Sequence, residues 1–108
     1  GELPGVRFMP IEDPDAANYW LTCMTIDPVE GGSSRDAVIA ALEAEDVEAR
    51  PLWKPLHMQP VFQDCASIGG ECAEGLFATG LCLPSGSALS VADRSKVIEG
   101  VRACFVTQ

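Results

Sequence analysis

Basic residues are scarce in this chain: seven Lys and Arg stand against sixteen Asp and Glu, giving a net charge of -9 and a pI near 4.3. So acidic a surface repels nucleic-acid backbones and anionic membranes, and neither is an expected partner; an anionic ligand has to be caught by a local cluster of positive groups. No apolar run approaches the ~20 residues that cross a bilayer, and the opening Gly1-Glu2-Leu3-Pro4 lacks the charged and apolar regions of a secretory leader. A cytosolic location is the expectation. Paired cysteine spacings are missing as well. Cys23, Cys65, Cys72, Cys82 and Cys104 are odd in number and hold no C-x-x-C pair, so reduced thiols are expected, with Cys23, Cys82 and Cys104 among apolar neighbours. Histidine is limited to His57, which leaves any zinc site near Cys65 and Cys72 short of ligands, and no metal is expected. Repeats and low-complexity tracts are absent. The 47% hydrophobic and 21% charged content is that of a folded chain, and 108 residues suffice for one domain with a single core.

What the chain does have is concentrated in one stretch, Arg50-Pro51-Leu52-Trp53-Lys54-Pro55-Leu56-His57-Met58-Gln59-Pro60-Val61-Phe62. It holds the only histidine, one of the two tryptophans and one of the two lysines. Each proline fixes its own φ, removes a backbone donor and keeps the residue before it extended, so the segment reads as a stiff loop leaving the end of a strand. Such a loop loses little entropy when something binds. Arg50, Lys54 and His57 offer two fixed positive charges and a titratable donor, and Trp53 offers a flat apolar face with an N–H at its edge. That set suits a phosphorylated or polyhydroxylated ligand. The same residues also fit a connection that merely turns the chain.

Along the chain, residues 1–16 carry three prolines and read as an extended lead-in. Asn18 to Ile26 reads as a strand with apolar residues on both faces, covered on both or awaiting a partner on one. Ser33 to Glu45 reads as a helix with Ser33 and Asp36 as its capping pair and Val38, Ala41, Leu42 and Glu45 on one face. Asp46 to Leu52 follows as a strand. Pro60 to Cys65 suits one or two helical turns, and Glu71 to Thr79 a short helix with Leu76 and Phe77 inward, stopped by a left-handed Gly80. Leu81 to Leu83 is a brief strand. Ser85-Gly86-Ser87 forms a small turn, read chiefly as a linker. Ser90 and Asp93 cap a last helix with Val97, Ile98, Val101, Cys104 and Phe105 along one side. This order predicts an α/β (α+β) sandwich, a mainly antiparallel sheet with helices packed on one face.

The run from Arg50 to Phe62 resembles the signature near the start of the C-terminal region of the DegT/DnrJ/EryC1/StrS family of sugar aminotransferases. Asn18-Tyr19-Trp20-Leu21-Thr22 before it, Gly80-Leu81-Cys82-Leu83-Pro84-Ser85-Gly86-Ser87 after it and the terminal helix match in the same order. The resemblance implies the small C-terminal domain of the aspartate-aminotransferase-like fold over residues 17–108. Residues 1–16 would then lead in from a missing cofactor domain. It implies a pyridoxal-phosphate enzyme that aminates a keto sugar carried on a nucleotide, with glutamate as amino donor and a homodimeric parent. Such a transaminase needs a lysine for the Schiff base, an acid at the pyridine nitrogen and a phosphate cup. Lys54 has no phosphate-binding loop or strand framework near it in sequence, Lys96 falls on the exposed side of the last helix, and in the resembled family the lysine lies in the large N-terminal domain. This chain alone is therefore expected to bind no cofactor and to be inactive. Trp53, Lys54 and His57 would face the substrate, Lys54 as a point charge on the diphosphate and His57 on a sugar hydroxyl. Arg50 would position the loop or meet phosphate, and Gln59 could serve either end. Two contrasting readings stand beside this one: a free-standing α/β binding or regulatory module whose acidic surface meets a protein, and a metal or redox protein using the cysteines.

Overall fold

Four short strands form one antiparallel sheet in a computed structural model that describes residues 2–105: β1 (Val6–Phe8), β2 (Thr22–Ile26), β3 (Arg50–Pro51) and β4 (Gly80–Leu83). Their spatial order is β1-β2-β4-β3. Val6 pairs with Ile26, Cys23 with Cys82, Met24 with Leu81, and Arg50 with Cys82. Among the described residues four α-helices accompany the sheet: α1 (Pro28–Gly31), α2 (Arg35–Ala44), α3 (Glu71–Thr79) and α4 (Val91–Ala103). Gly1 and residues 106–108, which belong to the expected lead-in and small domain, lie outside the described residues. Among the described residues no helix is long and apolar enough to cross a membrane.

Period-two alternation sorts the sheet into two faces. Val6, Met24, Ile26 and Leu81 meet Val38 and Leu42 of α2 and Val97 and Val101 of α4, with Phe105 and Val47 closing the core. Met24, Ile26, Leu42, Leu81 and Val38 are fully buried, each side chain stabilising the fold by about 1.5–3 kcal/mol. The expected antiparallel sheet with a helical layer is thus present. Arg7, Cys23, Thr25, Cys82 and Arg50 alternate onto the opposite, open face. There α3 contributes only the edge of its apolar side, Leu76 being 46% exposed.

Several elements differ from expectation. The lead-in contains β1, an edge strand too short to show periodicity, whose Val6 enters the core. β2 begins only at Thr22, because Tyr19 takes a left-handed φ of 50° and its hydroxyl donates to the Pro14 carbonyl at 2.7 Å. α2 is capped by Ser34, not Ser33, the Ser34 hydroxyl accepting from Ala37 N. Asp36 engages Arg35 instead of closing a box. Asp46, at φ 57°, and the Val47 N to Leu42 carbonyl bond of 2.9 Å hold the following residues against the end of α2. Together with Pro51, which has no N–H, they leave β3 two residues long. α3 has the expected bounds but buries no residue. Gly80 is extended, φ -100° and ψ 147°, and opens β4 rather than capping a helix left-handedly. Ile98, expected on the inner side of α4, is 46% exposed.

Candidate functional site

The proline-rich loop leaves the sheet at β3, where Leu52 N donates to the Gly80 carbonyl at 3.0 Å. Two single 3₁₀ turns, Leu56–Met58 and Pro60–Phe62, follow. Each begins after a residue held extended, Pro55 at ψ 142° and Gln59 at ψ 137°. Only the second coincides with the turn expected from sequence. Gln59 Nε2 donates to the Lys54 carbonyl at 3.1 Å and closes the loop on itself.

Arg50, Trp53 and Lys54 line one open cavity of about 620 Å³ together with Phe77, Cys82 and Ser85, a volume within the range of small-molecule sites. Trp53 is 63% exposed and its ring centroid stands 5.8 Å from that of Trp20, the planes tilted by 33°. Together they form a broad aromatic surface. Arg50 is held by Glu48, Nε at 2.7 Å and Nη2 at 2.5 Å from Oε1, with both side chains exposed. Exposed pairs of this kind are worth no more than about 1 kcal/mol, so an anion can displace Glu48 at little cost. Lys54 is exposed and makes no ion pair among the described residues. Ser85 is fully engaged: its hydroxyl accepts from Thr22 N at 2.7 Å and donates to the Leu83 carbonyl at 2.9 Å. It shapes the wall and has no donor to spare.

His57 and Gln59 stand elsewhere. The His57 ring is half-buried, packs over Gly70 and donates from Nε2 to Glu74 Oε1 at 2.6 Å. It opens on a separate small hollow with Leu56, Phe62 and Cys65. The expected cluster of Arg50, Lys54 and His57 therefore divides: the first two gather with Trp53, and the imidazole is used to fasten the loop to α3. The pairings of Glu74 with His57 and of Phe77 with Arg35 carried no local signal in the sequence, because the partners lie 17 and 42 residues away. Arg35 donates to the Phe77 carbonyl and lies 5.0 Å over its ring, tying the start of α2 to the end of α3.

Burial and the neighbouring Cys23 thiol push Cys82 up to about 11, and burial raises Cys104. Among the described residues no three His, Cys, Asp or Glu side chains gather to hold a metal ion. The cavity beside Lys54 does not fit pyridoxal phosphate either. No glycine lines it to form a phosphate nest. Lys96 is exposed on α4.

Residues 1–102 match the profile of the DegT/DnrJ/EryC1/StrS aminotransferase family. EpsN of Bacillus subtilis (strain 168), assigned by name as a pyridoxal phosphate-dependent aminotransferase, is 42% identical over 99% of this chain and 28% of its own length. GDP-perosamine synthase of Caulobacter vibrioides is 35% identical over 82% of this chain and 24% of its own. The crystal structure of DesI in the presence of its TDP-sugar product superposes with a TM-score of 0.81 at 30% identity, over 95% of this chain and 26% of that one. The chain thus spans about a quarter of the length of these relatives.

Proposed function

The chain belongs to the DegT/DnrJ/EryC1/StrS aminotransferase family, and on that premise we propose that it is the C-terminal part of a pyridoxal-phosphate-dependent enzyme that aminates a keto sugar carried on a nucleotide. Residues 17–108 are the small domain of that enzyme, and residues 1–16 lead into it while lending β1 to its sheet. The observation that carries the reading is the cavity where Arg50, Trp53 and Lys54 converge beside Trp20.

A sugar nucleotide has an aromatic base, two phosphates and a hydroxylated ring, and the cavity offers a complement to the first two. Trp53 gives the base or sugar a flat face, Lys54 meets the diphosphate as an unpaired charge, and Arg50 adds a second once Glu48 is displaced. In a chain of net charge -9 these groups are the local device that overcomes repulsion of an anionic ligand. His57 and Gln59 act from behind, holding the loop so that Trp53 and Lys54 meet the substrate already in place. Because the residues present do not fit the cofactor, it is held by a part of the protein outside this chain. Alone, this chain has no transaminase activity. GDP-perosamine synthase and DesI, with its TDP-sugar product, support a nucleotide-sugar substrate. Glutamate as donor, a homodimeric parent and a cytosolic location complete the proposal.

The test is kinetic. In the full-length enzyme Lys54→Ala and Trp53→Ala should each raise the sugar-nucleotide KM about tenfold, near 1.4 kcal/mol, with kcat little changed. Unaltered KM and kcat in both variants would return the loop to a purely structural role.

A further inference from the structure

Cys23 and Cys82 face each other across the sheet. They are register partners on β2 and β4, both on the open face, with sulfurs 3.7 Å apart. Residues directly opposite in an antiparallel pair have Cα atoms about 4.5 or 5.5 Å apart, and both spacings lie inside the ~4.4–6.8 Å that a disulfide spans. The Cα spacing therefore permits a disulfide, and the sulfurs are already in contact at 3.7 Å. Each sulfur also has its own approach. Cys82 lines the cavity of Trp53 and Lys54, and Cys23 lines a second, apolar cavity of about 450 Å³ with Thr25, Leu52 and Leu76. Both thiols are half-buried, which leaves room for a small reagent. Cys104, the other partly buried thiol, instead donates to the Gly100 carbonyl within its own helix.

We propose that Cys23 and Cys82 are a redox modification site, a dithiol converted reversibly to a cross-strand disulfide by a small disulfide such as oxidised glutathione. The Cys23 thiolate attacks one sulfur of the glutathione disulfide and expels a glutathione thiolate. The Cys82 sulfur, losing its proton to solvent, then attacks the Cys23 sulfur and expels the second glutathione. Two protein thiols are oxidised and one disulfide is reduced to two thiols. Burial and the Cys23 thiol push Cys82 up to about 11, which makes its thiolate scarce, and the exchange quickens as pH rises. In a reducing compartment such a bond is transient and reports the redox state. Nothing in this step depends on what the neighbouring cavity binds.

The test uses the full-length protein, reduced and then equilibrated without oxygen against graded ratios of reduced and oxidised glutathione. After quenching with acid and N-ethylmaleimide, trypsin with a Glu-specific protease places Cys23 in peptide 13–30 and Cys82 in peptide 75–94, cut away from Cys65 and Cys72. The expected product is those two peptides joined, two hydrogens lighter than their sum, accumulating with the oxidised fraction and lost on adding dithiothreitol. Cys23→Ser should abolish every linkage to Cys82. Recovery of both peptides as maleimide adducts while the exposed Cys65 and Cys72 are oxidised would overturn the proposal, as would Cys82 joined to any other cysteine.

Discussion

His57 Nε2 lies 2.6 Å from Glu74 Oε1, and this bond joins the proline-braced loop to the first turns of α3. The ring also covers Gly70, where an added Cβ would lie 2.6 Å from Cε1. The imidazole therefore works through position. In the 108-residue chain, His57→Ala and Glu74→Ala should each lower stability by about 0.5–1 kcal/mol, the pair being partly exposed. Their double variant should cost little more than either alone, and urea unfolding of the four proteins closes the cycle. Additive losses would mean that the two side chains do not support one another.

The contrast between this contact and α4 shows what a sequence reveals. Ser90 and Asp93 form a complete capping box, and Val97, Val101 and Phe105 are buried as their spacing predicts. Each of those signals lies within a few residues of its partner. β1 is three residues long and has no room for a pattern, and the cap of α2 moved by one because Ser33 and Ser34 are chemically equal. Arg50, Trp53 and Lys54 stand out in the sequence by type, and the structure gathers them at one cavity. The loop's division between a cavity-lining side and a braced side was hidden, because Glu74 becomes a partner only when α3 folds against it.

Gly80 illustrates the same limit. Its backbone is extended, so the glycine serves not φ but space: an added Cβ would run into the Leu52 side chain and the Leu76 carbonyl. Gly80→Ala should cost about 1–3 kcal/mol through overpacking. Because Leu52 precedes Trp53, the variant should also shift the tryptophan emission of the native state. Unchanged emission and stability would show that Leu52 has another place to go.

The box at Ser90 gives a pH dependence whose sign follows from one group. Hydrogen bonds from the Ser90 hydroxyl and backbone hold the Asp93 carboxyl below its ordinary value, with Lys96 helping. A depressed carboxyl stabilises the fold above its unfolded pKa, and that contribution is lost as pH falls through the lower, folded value. Amide exchange in the first turn of α4 should thus gain amplitude in acid before the core amides of β2 do. Ser90→Ala, which removes the cap, should cost about 1 kcal/mol at neutral pH and flatten the acid dependence of that turn. An unaltered acid profile would assign the dependence to other carboxylates.

Leu42 and Ile98 separate the covered side of the helical layer from the uncovered one. Leu42 is fully buried, and a Cβ at Gly100 would come within 2.7 Å of its Cδ2, so α2 and α4 touch closely through this side chain. Leu42→Ala removes the packing atoms at a place where two helices and the sheet meet and cannot easily collapse; the expected loss is about 2–5 kcal/mol. Ile98, at helical spacing but 46% exposed beside a cavity of about 310 Å³ lined by Val6, Phe8 and Val97, should lose no more than about 1 kcal/mol on truncation to Ala. Both values come from urea midpoints of the same chain. If Ile98→Ala proved as costly as Leu42→Ala, the side chain would have to close over that cavity in solution, and the inner stripe of α4 would run as wide as its spacing suggests.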